Sequence, residues 1–442
     1  MEKIAADLLI SGTSTVNRAV DDHASKIAFY RTLKNKRFTH DDILSASYRR
    51  CAENIDVDHV LCIQDTSEFT YARTATKIGK SDPDIGPTRL NMVPGLFCHP
   101  TLVCDTSGQI IYGLSSASLF NRTWGQKDKN ERNYSKLPIE QKESFRWIEN
   151  AQNTRALIAK EISLTIIADR ESDIFEEFVR VPDENTFLLV RSSHNRKLEG
   201  SANSLNTELE QQPLAGTSKV TLVANPKRQK RTADIEIRYC PVVIKAPTKY
   251  KGTVKSAKVH VIEAKEVTEN LPKDQDPILW RLITTHPIES LEKALQCIEW
   301  YKQRWLIEEL FRVLKTKGFQ LESSQLGNGA AIKKLIAFTL EAALQVMRLK
   351  LALDKKQETP AKMLFSKQQL LFLTFLLKKV EGNTAKQMNP YPINTTAWAA
   401  WIIARLGKWT GYKSHGPPGY ITMKNGYNTF LSQYEIFELL NL

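Results

Sequence analysis

Two aspartates carry the residue type and setting most able to do chemistry in this chain. Asp65 follows a compact apolar run, His59–Ile63, with Gln64 between. Asp169 follows a second run of similar texture, Ser163–Ala168. Short apolar runs of this kind read as buried strands, and in α/β sheets reacting groups gather where neighbouring strands end. Two carboxylates brought that close repel unless a divalent cation shares them, and Mg²⁺ prefers such oxygen ligands together with substrate phosphate. Either aspartate, taken singly, also reads as a cap on the turn that follows it.

The segment Tyr301–Lys315 supplies the remaining groups. Read as one helix at about 100° per residue, it brings Tyr301, Arg304, Glu308 and Lys315 within about 60° of arc. Trp300, Ile307, Leu310, Phe311 and Leu314 lie beside that stripe and would seat the helix on a core. A carboxylate from such a helix would complete a three-carboxylate site for two-metal phosphoryl transfer. Read alone, the stripe is also an ordinary Arg304–Glu308 surface pair.

The elements needed to position these groups are legible nearby. The Thr39–Asp42 spacing predicts a capped helix start running into Ile43–Tyr48. Thr101–Cys104 and Gln109–Leu114 flank Asp105–Gly108 as a hairpin. A helix over roughly 138–161 precedes the Ser163–Ala168 strand; a second helix, Asp173–Val179, and a strand, Phe187–Val190, follow it. Residues 195–287 read as a β-rich insertion, with runs at Val220–Val223, Asp234–Arg238, Val242–Lys245, Val259–Ile262 and Leu279–Thr285. From Ser290 the chain reads as mostly helical to about 380, and 381–442 as a tail punctuated by Pro and Gly.

The pattern Tyr301-x2-Arg304-x3-Glu308-x6-Lys315 resembles the Tyr-Arg-Glu-Lys signature of the insertion sequence 4 transposase family. Gln64-Asp65-Thr66-Ser67 and Ala168-Asp169-Arg170-Glu171-Ser172-Asp173 resemble its two aspartate motifs. The resemblance implies an α/β fold: an RNase H-like mixed-sheet catalytic domain with a β-rich insertion, flanked by helical N- and C-terminal domains. It places a short DNA-binding region at 1–45, the catalytic domain at 46–355 and a dimerisation domain at 356–442. Asp65, Asp169 and Glu308 would be the catalytic metal ligands, holding two Mg²⁺ ions, with Mn²⁺ able to substitute. Tyr301, Arg304 and Lys315 would hold the phosphate beside the cleaved bond. Trp280 would stack a flipped base, and Arg191 would contact DNA nearby. The implied activity is cut-and-paste transposition through end nicking, hairpin formation and strand transfer. Its partners are double-stranded DNA, as transposon ends and target, and a second copy of the chain. A structure-specific endonuclease on the same fold, or a non-catalytic DNA-binding regulator, are the competing readings. Asp65 lies early in the chain, so the region ahead of it is short compared with longer members of the family.

Composition agrees with this. The 442 residues carry 62 Lys+Arg against 49 Asp+Glu, a net charge of +13, which favours a polyanionic partner. Arg31, Lys34, Lys36, Arg37, Arg49 and Arg50, interleaved with Phe29, Tyr30, Phe38 and Tyr48, read either as DNA contacts or as solvated helix faces. The run Lys227–Arg231 reads either way too. With 42% apolar and 25% charged residues, a disordered or fibrous chain is excluded. No apolar run approaches the ~18 residues of a membrane span, and the first residues lack the pattern of a secretory signal. A bacterial, cytoplasmic, nucleoid-associated protein is expected. The six cysteines form no CxxC pair and read as reduced, buried thiols rather than a zinc site.

Overall fold

Alternating short apolar runs and helical stretches fold into strands and helices in the order that the sequence suggests. The computed structural model describes residues 23–88, 93–125, 134–222, 231–268, 271 and 276–440. The chain before His23 lies outside them, and of the Lys227–Arg231 run only Arg231 is among them. In chain order the main elements are helices α1 (His23–Lys34) and α2 (His40–Glu53), then strands β1 (His59–Gln64), β2 (Ser67–Thr70), β3 (Gly86–Pro87), β4 (Pro94–Asp105) and β5 (Ile111–Phe120). Next come α3 (Phe145–Leu157), β6 (Ser163–Ala168), α4 (Phe175–Arg180), β7 (Thr186–Arg191) and α5 (Leu205–Glu210). Four strands follow, β8 (Gly216–Leu222), β9 (Arg231–Lys245), β10 (Ser256–Glu266) and β11 (Leu279–Thr284). Helices α6 (Leu291–Lys302), α7 (Trp305–Leu314), α8 (Gly329–Asp354), α9 (Lys367–Val380), α10 (Thr396–Leu406) and α11 (Tyr420–Leu439) complete the chain. The residues pack as two units. The first holds Met1–Asp56, Thr66–Gln126 and Leu306–Leu442; the second holds Val57–Asp65 and Lys127–Trp305.

In the first unit β4 pairs antiparallel with β2, β3 and β5. The β4–β5 hairpin turns where expected. Asp105 accepts from the Ile110 and Ser107 amides at 2.6 and 3.2 Å, and Gly108 takes a φ of 66° that few other residues tolerate. Thr39 and Asp42 form the capping box that their spacing predicts. Helix α8 runs 26 residues with buried positions on every side, the signature of a central helix. The tail punctuated by Pro and Gly forms helices α10 and α11, and Trp398 and Trp401 of α10 are core residues. Near the N-terminus Phe29 is buried while Arg31, Lys34, Lys36, Arg37 and Arg49 are exposed. Arg50 pairs with Glu341 at 2.8 Å.

In the second unit the strand order is β1-β6-β7-β11-β10-β9-β8. The pairs β1–β6 and β6–β7 are parallel, and all later pairs are antiparallel. Val60, Leu61, Cys62 and Ile63 are wholly buried, as parallel strands covered on both faces require. The β-rich segment extends this sheet through β11, which pairs with β7. Two of its expected strands are one: β9 continues through Pro241, whose fixed φ suits an extended backbone. Helix α5, absent from the sequence reading, is a short amphipathic turn that buries Leu205 and Leu209. All six cysteines are buried, and none of them forms a disulfide. Among the described residues no helix is long and apolar enough to cross a membrane.

The amino-terminal end of the parallel strands carries a buried polar knot. The Thr165 hydroxyl lies 2.8 Å from Nε2 of both His59 and His286. His286 stacks on Phe187 at 4.0 Å, and Trp300 closes the pocket edge-on to His59. Burial, then the charges of His59 and Lys293, push the His286 imidazole down to about 3; burial also lowers His59, against the pull of Asp58. Both rings are therefore neutral in the fold and take up protons on unfolding near pH 6.5. Stability should be complete above about pH 6.5 and fall below it, by up to roughly 1.4 kcal/mol per pH unit for each ring. Urea unfolding between pH 7.5 and 5 checks this; a His286→Phe variant should flatten the profile.

Candidate active site

The site grows out of strand register. Ile63 pairs with Ile167, and Ile167 with Leu189. Two residues further on, the same row holds Asp65, Asp169 and Arg191 at the carboxyl ends of three adjacent parallel strands. Arg191 in turn pairs with Leu282 of β11. Residues in one row point to one face of a sheet. Two carboxylates and a guanidinium thus share one edge, where α/β sheets place their ligands.

Asp65 is held by Arg304, whose Nη1 donates to its Oδ2 at 3.0 Å, with side-chain exposures of 18% and 22%. Burial raises the Asp169 carboxyl above its ordinary range, opposed by the Glu171 amide and by Arg304 and Arg146. Oδ1 of Asp169 accepts that amide at 2.8 Å, so the residue also caps the turn after β6. Tyr301 is buried, and burial raises its hydroxyl while Arg304 and Arg191 oppose this. Burial lowers Arg191, as do its like-charged neighbours Arg170 and Arg304. These partners place Asp65, Asp169, Arg191, Tyr301 and Arg304 in one cluster of the second unit. Trp280 is half-buried on β11, two residues from Leu282 and on the same face, so it is a diagonal neighbour of Arg191. Arg191 Nη2 donates to the Leu279 carbonyl at 3.3 Å.

The stripe predicted along one helix is interrupted. Helix α6 ends at Lys302, α7 begins at Trp305, and Gln303–Arg304 form the turn between them. The Gln303 and Arg304 amides donate to carbonyls three residues back, at 3.0 and 3.1 Å, a tighter winding than α. Helical phase is lost there, so Arg304 reaches its place from a turn. The apolar flank is buried as expected. Glu308 is exposed in the first turn of α7, in the first unit. Lys315 belongs to that unit too, where its Nζ donates to the Glu68 carbonyl and lies 5.0 Å from the Phe69 ring centre.

Sequence reasoning gave no role to Asp173 or Arg196. Asp173 is wholly buried; its Oδ1 accepts from Arg196 Nε at 2.8 Å, and its Oδ2 from the Ser193 and His194 amides at 2.7 and 3.0 Å. This fastens the turn after β7 to the turn after β6. The only available signal was the acidic spacing inside Asp169-Arg-Glu-Ser-Asp173. Glu171 is paired with the nearly buried Arg146 at 2.8 Å.

Among the described residues no group of three His, Cys, Asp or Glu is arranged to hold a metal ion. The two aspartates nonetheless suit a hard cation. They supply anionic oxygens in register on one edge, and burial of Asp169 makes its negative charge costly unless a positive one meets it. Residues 166–343, which include every candidate from Asp169 to Lys315, match the family model described as the transposase DDE domain. That match supports a DDE transposase family for this chain.

Proposed function

We propose that this chain is a DNA transposase of the insertion sequence 4 type, acting by divalent-metal-dependent phosphoryl transfer. The row Asp65–Asp169–Arg191, joined by Arg304 and Tyr301, carries the reading: it offers carboxylates for cations and cations for phosphate on one sheet edge. Asp65, Asp169 and Glu308 would hold two Mg²⁺ ions. Bound there, the ions would activate an attacking oxygen and stabilise the leaving one. Arg304, Tyr301 and Lys315 orient the phosphate beside the cleaved bond, guanidinium and ammonium matching its charge. Arg191 binds the backbone next to it.

The proposed order is nicking at an element end, attack of the freed 3′-hydroxyl on the opposite strand to form a hairpin, hairpin opening, and transfer to target DNA. Two protomers would bring two ends together through residues 356–442, where Leu371, Phe375 and Ile436 are exposed at 63%, 53% and 58%. Residues 1–45 would take part in recognising the ends. The test uses a labelled duplex carrying the DNA that flanks the coding region. Mg²⁺-dependent nicking separates an enzyme from a DNA-binding regulator. Joining of the freed 3′-hydroxyl to a second duplex separates a transposase from a structure-specific endonuclease.

Trp280 yields a sharper expectation. A base leaving the stack during hairpin formation needs an aromatic face, worth roughly 1–3 kcal/mol. Trp280→Ala should therefore slow hairpin formation about 5- to 150-fold and leave first-strand nicking almost unchanged. A denaturing gel that follows both products reads this directly. Equal loss of nick and hairpin would assign Trp280 to the β10–β11 packing alone.

A further inference from the structure

We infer that Arg170 and Arg191 form a paired site for DNA backbone phosphate, which makes Arg170 a DNA-contacting residue beyond those proposed above. The inference rests on the DNA reading and deepens it.

Asp65 is paired with Arg304 at 3.0 Å, Glu171 with Arg146 at 2.8 Å, and Asp173 with Arg196. Arg170 and Arg191 make no ion pair among the described residues, and the Arg191 guanidinium donates to a main-chain carbonyl. Arg170 opens the turn directly after Asp169 and is exposed. Arg191 ends β7 in the same row as Asp169. The buried Asp173 ties these two turns together by accepting from the Ser193 and His194 amides and from Arg196. The two guanidiniums are thus carried on fastened supports rather than on independent surface loops.

Like charges held near each other repel, and the half-buried Arg191 is further deprived of water, costs that the neighbouring Tyr301 and Asp169 oppose without reversing. An anion between or beside them relieves both costs. A phosphodiester matches the planar fork of arginine, and the net charge of +13 favours a polyanion over an acidic peptide.

The test is fluorescence anisotropy with a fluorescein-labelled random-sequence DNA duplex, titrated without divalent cation over a salt series. Arg170→Gln and Arg191→Gln should each weaken binding roughly 5- to 20-fold at low salt. Each should also flatten the slope of log affinity against log salt by about 0.9. Arg170→Lys should restore the slope, because it restores the charge; melting curves establish that each variant is folded. A wild-type slope for Arg170→Gln beside a flattened one for Arg191→Gln would strike Arg170 from the site. Wild-type slopes for both would overturn the pair. Salt-insensitive binding by the unmodified chain would instead overturn the DNA reading itself.

Discussion

Asp169→Asn should leave the protein folded and still able to bind DNA while metal-dependent nicking falls by roughly 10³-fold or more, about 4 kcal/mol of barrier. The substitution keeps shape, and an asparagine oxygen can still accept the Glu171 amide that Asp169 Oδ1 now accepts at 2.8 Å. What disappears is a charge that burial makes costly, since the carboxyl is raised above its usual range. A carboxylate in that state destabilises the fold at neutral pH, so the melting temperature should hold or rise as activity vanishes. That opposition is expected of a charge retained for function at the expense of stability. Asp65→Asn and Glu308→Gln should lose nicking to a similar extent. Asp65→Asn also leaves Arg304 without its ionic partner, so its melting curve must be compared before its activity is interpreted. A folded Asp169→Asn protein that nicks a labelled duplex at near-normal rate would remove the residue from the catalytic set.

The second large effect is on stability. Arg196→Leu leaves Asp173 buried with its charge unmatched and should cost about 3–5 kcal/mol. Two amides still donate to Asp173, which keeps the cost short of that for an isolated buried ion. Adding Asp173→Asn to Arg196→Leu should recover part of the loss, because the stranded charge is then gone. Equilibrium urea unfolding of the single and double variants measures both numbers. A loss under about 1 kcal/mol for Arg196→Leu would place this pair with ordinary surface ion pairs.

Much of this arrangement was readable from residues alone, for identifiable reasons. Apolar runs wholly buried in a parallel sheet stand out in a chain, so β1, β6 and β7 were visible, and with them the positions of Asp65 and Asp169. Thr39 with Asp42, and Asp105 with Gly108, are local chemistry, and local chemistry survives folding. The interruption at Gln303–Arg304 was not visible. Neither residue is Gly or Pro, and a periodic apolar flank on both sides reads as one helix. Pro241 misled in the opposite sense, marking a break where β9 runs on. Asp173 and Arg196 escaped because a buried ion pair is a tertiary fact: nothing in either residue's neighbourhood says that the other will be its partner. The family match over residues 166–343 spans Asp169 to Lys315 and begins after Asp65.

The order of strands in the second unit has a consequence for how the molecule is made. β1 pairs with β6 although roughly 100 residues of chain separate them, and at about 5–20 residues per second the β6-facing edge of a nascent β1 waits on the order of 5–20 s for that strand. β7 then waits a comparable time for β11, because β8, β9 and β10 are all synthesised before the strand that covers it. During that interval the Leu188–Leu189–Val190 edge, beside Arg191, has no antiparallel partner, and an uncovered apolar edge is a template for pairing with other chains. A ribosome that stops before Leu279 therefore releases a product with an open, sticky sheet margin and no Tyr301 or Arg304. Premature termination in this interval should send the fragment to aggregation or proteolysis before it can occupy DNA and compete with the complete chain.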